Sequence, residues 1–107
     1  MIAGLHQLAE RGRAAGLKVI GGTLLTFEHE TFNPGFYSPE GEAKRQAVNS
    51  WIRSSGAFDA VIDFEAELRD PSHPTAMLGR YDCGDHLHPN DLGYQRMGQI
   101  VDLSLFS

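Results

Sequence analysis

Tyr81-Asp82-Cys83-Gly84-Asp85-His86-Leu87-His88-Pro89-Asn90-Asp91-Leu92-Gly93-Tyr94 places three carboxylates and two of the five histidines of the chain in one short stretch. Asp85 and His88 stand three apart, immediately before an amphipathic run. In that arrangement a carboxylate can orient an imidazole so that its other nitrogen takes a proton from a nucleophile. Asn90 or Asp91 is suited to cap the helix that follows. Leu92, Met97, Ile100, Val101 and Leu105 are its expected buried side.

Outward from this stretch the chain alternates helix and strand. Ile2, Leu5, Leu8 and Ala9 recur at helical spacing within 1–15, and Gly16 sits where a helix ends in the left-handed conformation. Leu17 to Leu25 reads as a strand whose nearly continuous apolar run suits a parallel sheet covered on both faces. Residues 26–37 are a loop by their Asn33-Pro34-Gly35 signal, placed after a parallel strand's C-terminal end, where α/β folds carry their sites. Ser38-Pro39-Glu40 then starts a helix with cap, proline and acid in order. Ala43, Ala47, Val48, Trp51 and Ile52 form its apolar face, and Gly56 ends it. Phe58 to Phe64 is a second buried strand. Residues 65–68 form a helical turn, and 69–80, with Pro71 and Pro74, read as loop. The expected architecture is therefore two parallel strands and three helices. Two strands alone make a poor sheet, so such a chain should want a partner.

A Ser-His-Asp hydrolase whose acid precedes its base by three residues, just before a last helix, resembles the SGNH (GDSL-type) ester hydrolases. Their C-terminal block Asp-x-x-His-Pro stands here as Asp85-His86-Leu87-His88-Pro89. The helix from Ile2 to Gly16, Lys18-Val19-Ile20-Gly21-Gly22-Thr23-Leu24, the run from Tyr37 to Ala43, and Val61-Ile62-Asp63-Phe64 are similar, in order, to the second half of a bacterial SGNH esterase. The resemblance implies a flavodoxin-like three-layer α/β/α fold, of which 1–107 would be the C-terminal portion of a single domain. It implies carboxylic-ester hydrolysis, with short-chain acyl or acetyl esters, including acetylated sugars, as substrates and no cofactor. His88 would be the general base and Asp85 its orienting acid.

Three family blocks have no counterpart here: the Gly-Asp-Ser nucleophile motif, an oxyanion-hole glycine and a Gly-x-Asn-Asp segment. The serines are Ser38, Ser50, Ser54, Ser55, Ser72, Ser104 and Ser107. None follows a strand on the sharp turn that a nucleophile needs. Cys83 beside two aspartates lacks the electropositive setting of a reactive thiol. Losing one oxyanion donor costs about 3–4 kcal/mol of transition-state stabilisation, so an Asp-His pair alone should do little better than imidazole. The expected partner is the N-terminal half of the same domain or a second copy of the chain. The alternative function is a non-catalytic fragment that folds by such docking.

Other classes fit less well. A net charge of −5 argues against nucleic-acid or anionic-membrane binding, and no apolar run has the length of a membrane span. One cysteine excludes an internal disulfide. A metal set of Asp82, Asp85, His86, His88 and Asp91 would require an extended segment, on which His86 and His88 share a face. Its spacing matches no zinc signature, so no metal is expected. Phe32, Phe36 and Tyr37, with His29, are candidate walls of a substrate pocket. Trp51 is an expected core residue, Asp63 an expected cap or turn residue, and His6 and His73 expected surface residues. Met1 begins no signal peptide, and compartment stays open.

Overall fold

The computed structural model describes all residues, Met1–Ser107. The chain order is α1 (Ile2–Ala14), β1 (Ile20–Gly22), α2 (Pro39–Ser54), β2 (Ala60–Ile62), α3 (Phe64–Leu68), β3 (Arg69–Asp70), β4 (His73–Met77), a 3-10 turn (Gly79–Tyr81), α4 (Asp91–Gln99) and a final 3-10 turn (Leu103–Phe106). β1 and β2 pair in parallel, Ile20 opposite Ala60 and Gly22 opposite Ile62, with α2 as their connection. This is the β-α-β order expected from the apolar runs.

Local chemistry sets most of the boundaries. Gly16 has φ +80 after α1 and Gly56 φ +72 after α2, the left-handed backbone that glycine takes without a Cβ penalty. The Ser38 hydroxyl accepts from the Gly41 N–H at 3.0 Å, with Pro39 in the first turn. Asp63 caps α3 by accepting from the Ala66 N–H, so it takes the capping role.

The strands are shorter than the apolar runs. Residues 17–25 yield a ladder only at Ile20–Gly22, and 58–64 only at Ala60–Ile62. Beyond the ladder the Asp59 N–H still donates to the Val19 carbonyl and the Thr23 N–H to the Ile62 carbonyl, and side chains supply further partners. Asp59 accepts from the Val19 N–H, and Asn49 accepts from the Leu24 N–H at 2.8 Å and donates to the Leu24 carbonyl at 2.9 Å. Asn49 is fully buried, and one amide side chain there mimics a neighbouring strand.

The segment 69–80, expected as loop, contains an antiparallel hairpin of β3 and β4. Pro71 and Pro74 obscured it: Pro71 falls in the turn, and Pro74 near the start of an edge strand, both positions where a missing N–H is tolerated. Asp70 accepts from the Ser72 N–H and closes the turn.

Packing departs further from the sequence pattern. The buried apolar cluster is Leu68, Met77 and Tyr81, with Leu25, Leu78 and Met97 against it. On α1 only Ala9 is buried, and Leu8 is exposed. On α2, Val48 and Ile52 are buried as expected, Trp51 is half-buried, and Ala43 and Ala47 face solvent. Leu92 of α4 is exposed; Met97, Ile100, Val101 and Leu105 are half-buried, and the helix stops at Gln99.

What fills the space between α2 and α3 is charge. Arg45 bonds Glu42 and the Leu24 carbonyl and lies 3.5 Å from Glu65, while Arg53 bonds Asp63 and Glu65. Burial opposes the Arg45 charge, and Glu42 and Glu65 more than offset it, raising its pKa. Burial likewise opposes the Glu65 charge, and Arg53, Arg69 and Arg45 override it. Removing one partner from such a network leaves an uncompensated buried charge.

The accessible surface is 6567 Å², against about 5,900 Å² for a folded monomer of this mass. The radius of gyration is 14.8 Å, against about 13 Å for this length. Large apolar side chains, Leu8, Leu17, Phe32, Phe36, Leu103 and Phe106 among them, are exposed.

Candidate active site

Asp82 to Pro89 forms a closed loop between the Gly79–Tyr81 turn and α4. Asp82 and Pro89 make an antiparallel bridge, the Cys83 N–H donates to the His88 carbonyl at 3.1 Å, and the Asn90 N–H donates to the Tyr81 carbonyl at 2.7 Å. Asn90 holds the base of the loop with its side chain. It donates to the Arg80 and Asp82 carbonyls and accepts from the Gly93 N–H, which makes it the cap of α4. Of the two capping candidates, Asn90 is the one used. Its clamp on the loop was not legible, because the carbonyls it holds come together only in three dimensions.

Inside the loop the two acids act alike. Asp82 accepts from the Gly84 and His86 N–H groups and holds the His86 ring through Nδ1 at 2.5 Å. Asp85 Oδ1 accepts from the Leu87 and His88 N–H groups at 2.9 and 2.8 Å, and Asp85 Oδ2 meets His88 Nδ1 at 2.6 Å. The His88 ring bond, then the backbone N–H groups of His88 and Leu87, hold the Asp85 carboxyl far below the usual carboxylate range. Asp85 therefore stays anionic and fixes the tautomer of His88 with its proton on Nδ1. That leaves Nε2 as the acceptor of a base. The His88 side chain is about half exposed, open to a reacting group.

The segment is not extended. His86 has φ +60 and Gly84 φ +117, so His86 and His88 do not share a face. Each imidazole has its own aspartate, and Asp91 lies in the first turn of α4. The five residues weighed as a metal set do not converge. The donor atoms that do approach here are those of Cys83, Asp85 and His88. The Cys83 thiol donates to Asp85 Oδ1 at 3.2 Å, adding to the acid's partners.

The loop after β1 crosses this site. The Thr31 N–H donates to the Asp85 carbonyl at 2.9 Å, and Phe32 packs edge-on against the His88 ring, centroids 5.2 Å apart. Phe36 and Tyr37 both pack on Phe27. Phe36, Phe27, Leu25, Val48 and Leu87 line an apolar groove of about 800 Å³ that reaches the Asp82–Pro89 loop at Leu87. The three aromatic candidates thus separate: Phe32 touches His88, Phe36 walls the groove, and Tyr37 packs on Phe27. Burial, with Glu42 and Glu28 nearby, raises the Tyr37 phenol pKa.

No serine hydroxyl bonds His88. Ser38 caps α2, Ser54 and Ser55 bond at the C-terminal end of α2, and Ser107 bonds the Ser104 carbonyl. Two surface histidines have partners: His6 pairs with Glu10 and lies edge-on to Trp51, and His73 bonds Glu28.

A family model described as GDSL-like Lipase/Acylhydrolase matches residues 1–101, a span that includes the whole Asp85–His88 loop. No curated protein matches the chain.

Proposed function

The chain belongs to the GDSL-like lipase/acylhydrolase family, and on that premise we propose that it supplies the acid-base half of a serine esterase acting on short-chain acyl or acetyl esters, acetylated sugars among them. The observation that carries this is the 2.6 Å contact between Asp85 Oδ2 and His88 Nδ1, with Nε2 free at a half-exposed ring. A serine from outside these residues attacks the ester carbonyl while His88 Nε2 takes its proton. The resulting imidazolium is stabilised by anionic Asp85. His88 then returns the proton to the leaving alcohol, and water, activated by the same nitrogen, hydrolyses the acyl-enzyme. Phe32, held edge-on to His88, borders the space the leaving group must cross.

Hydrolysis of p-nitrophenyl acetate by the chain, beside His88→Ala and free imidazole, tests the division of labour. The chain alone should match imidazole. Mixed or co-expressed with a polypeptide carrying the family's Gly-Asp-Ser segment, it should exceed imidazole by orders of magnitude and lose that excess in His88→Ala. Failure of every such pairing to exceed imidazole refutes the esterase reading.

A second reading has its own observation. Leu8, Leu24, Phe32 and Phe36 are exposed, and the parallel sheet has only two strands. A fragment that folds by docking on its N-terminal half or on a second copy would cover these faces without performing chemistry. Sedimentation showing a stoichiometric dimer, together with no activity in any pairing, favours that reading.

A further inference from the structure

We propose that Glu28, His29 and His73 form a binding site for a divalent transition-metal cation of Zn²⁺ type, separate from the Asp85–His88 pair. The three come from two segments, the loop after β1 and the start of β4, and their donor atoms all lie within 4.8 Å of one another. Glu28 Oε2 is 2.6 Å from His73 Nε2, and the His29 and His73 rings stack with centroids 5.9 Å apart.

The donor set selects the cation. Two imidazoles and one carboxylate suit Zn²⁺ and its borderline neighbours, whereas Ca²⁺ and Mg²⁺ prefer oxygen ligands alone. Three protein ligands leave a fourth position, and the exposure of His29 and His73 leaves room for water there. The Thr75 hydroxyl donates to Glu28 Oε2, an orienting bond of the kind that fixes ligating carboxylates. His86, its Nδ1 held by Asp82, lies with its ring 6.4 Å from that of His29 and is the nearest further imidazole.

The position has a consequence for the catalytic loop. The same segment that carries Glu28 and His29 continues to Thr31, bonded to Asp85, and to Phe32, packed on His88. A cation bridging Glu28, His29 and His73 ties that segment to the β3–β4 hairpin and so steadies the residues that touch the base.

Titration of chelator-treated chain with Co²⁺, read by its visible absorption, and with Zn²⁺, read by calorimetry, tests the site. Cys83→Ser serves as the background, so that the Cys83–Asp85–His88 donors do not compete as a thiolate site. One cation should bind per chain in this background. His29→Asn and His73→Asn should each weaken binding more than about 100-fold, and Thr75→Val about 10–100-fold, as outer-shell changes do. Asparagine tolerates the left-handed backbone of His29, φ +69, so that variant stays folded, as circular dichroism checks. Absence of stoichiometric binding in the Cys83→Ser chain overturns the proposal. So does binding that both histidine variants leave unchanged.

Discussion

Gly93 and Gly98 lie in the same helix, and the same substitution should act on them with opposite signs. A Cβ at Gly93 would stand 2.8 Å from the Tyr81 carbonyl oxygen, 2.9 Å from Pro89 Cβ and 3.2 Å from Tyr81 Cβ, where ordinary contact begins at 3.4 Å. Two of these neighbours cannot rotate away. The Tyr81 carbonyl is backbone and already accepts from Asn90, and Pro89 is buried at the base of the Asp82–Pro89 loop. Relief therefore requires α4 to move about half an ångström from the 3-10 turn. Overpacking of this kind costs about 1–3 kcal/mol, and the helix propensity of alanine recovers at most about 1 kcal/mol. Gly93→Ala should be destabilising by about 1–2 kcal/mol, lowering Tm by about 5–10 °C in a domain of this size. At Gly98 nothing lies within 4 Å of the same Cβ. Gly98→Ala should stabilise by about 0.5–1 kcal/mol, less if the last turn frays. Thermal denaturation of the two variants beside the parent measures both. A Gly93→Ala protein as stable as Gly98→Ala would refute the reasoning, because α4 would then not be seated on the Asp82–Pro89 loop as described.

Three further perturbations reach the site and its support. Asp85→Asn places an amide N–H against His88 Nδ1 and favours the tautomer with its proton on Nε2, so esterase activity in a nucleophile-bearing pairing should fall about 10³–10⁴-fold in kcat; unchanged kcat would remove Asp85 from the mechanism. The Arg53 hydrogen bonds lower the Asp63 pKa from 3.8 to about 2. The stability from this depressed acid is fully present above its unfolded value and lost as pH falls toward 2. The gross figure of about 2.5 kcal/mol shrinks to about 1 kcal/mol after screening, since both side chains are about one-third exposed. Denaturant melts of parent and Asp63→Asn should differ at pH 6 and converge at pH 2. Asn49→Ala strips the Leu24 N–H of its partner while the Leu24 carbonyl keeps Arg45, and should cost about 1–3 kcal/mol; a urea midpoint within error of the parent would show water replacing the amide.

Local features were legible in the sequence because their causes are local. Ser38-Pro39 as a helix start, Gly16 and Gly56 as helix ends and Asp63 as a cap each depend on bonds within a few residues. The Asp85–His88 pair is a three-residue relation, closed by two backbone N–H groups of the same turn, and so it was visible as a motif. The parallel pairing of β1 and β2 followed from apolar runs joined by one helix.

Tertiary structure decided the rest, because burial and long-range contact are properties of the assembled surface. Leu8, Ala43, Ala47 and Leu92 carry helical periodicity, yet all four stay exposed in the folded chain. The β3–β4 hairpin was hidden by its two prolines, which the pairing tolerates only at a turn and an edge. His29 and His73 are 44 positions apart and read singly as loop and surface residues. Only the crossing of the loop after β1 over the hairpin stacks their rings beside Glu28, and only that crossing lays Phe32 on His88. A sequence names the groups that can react; the fold decides which of them meet.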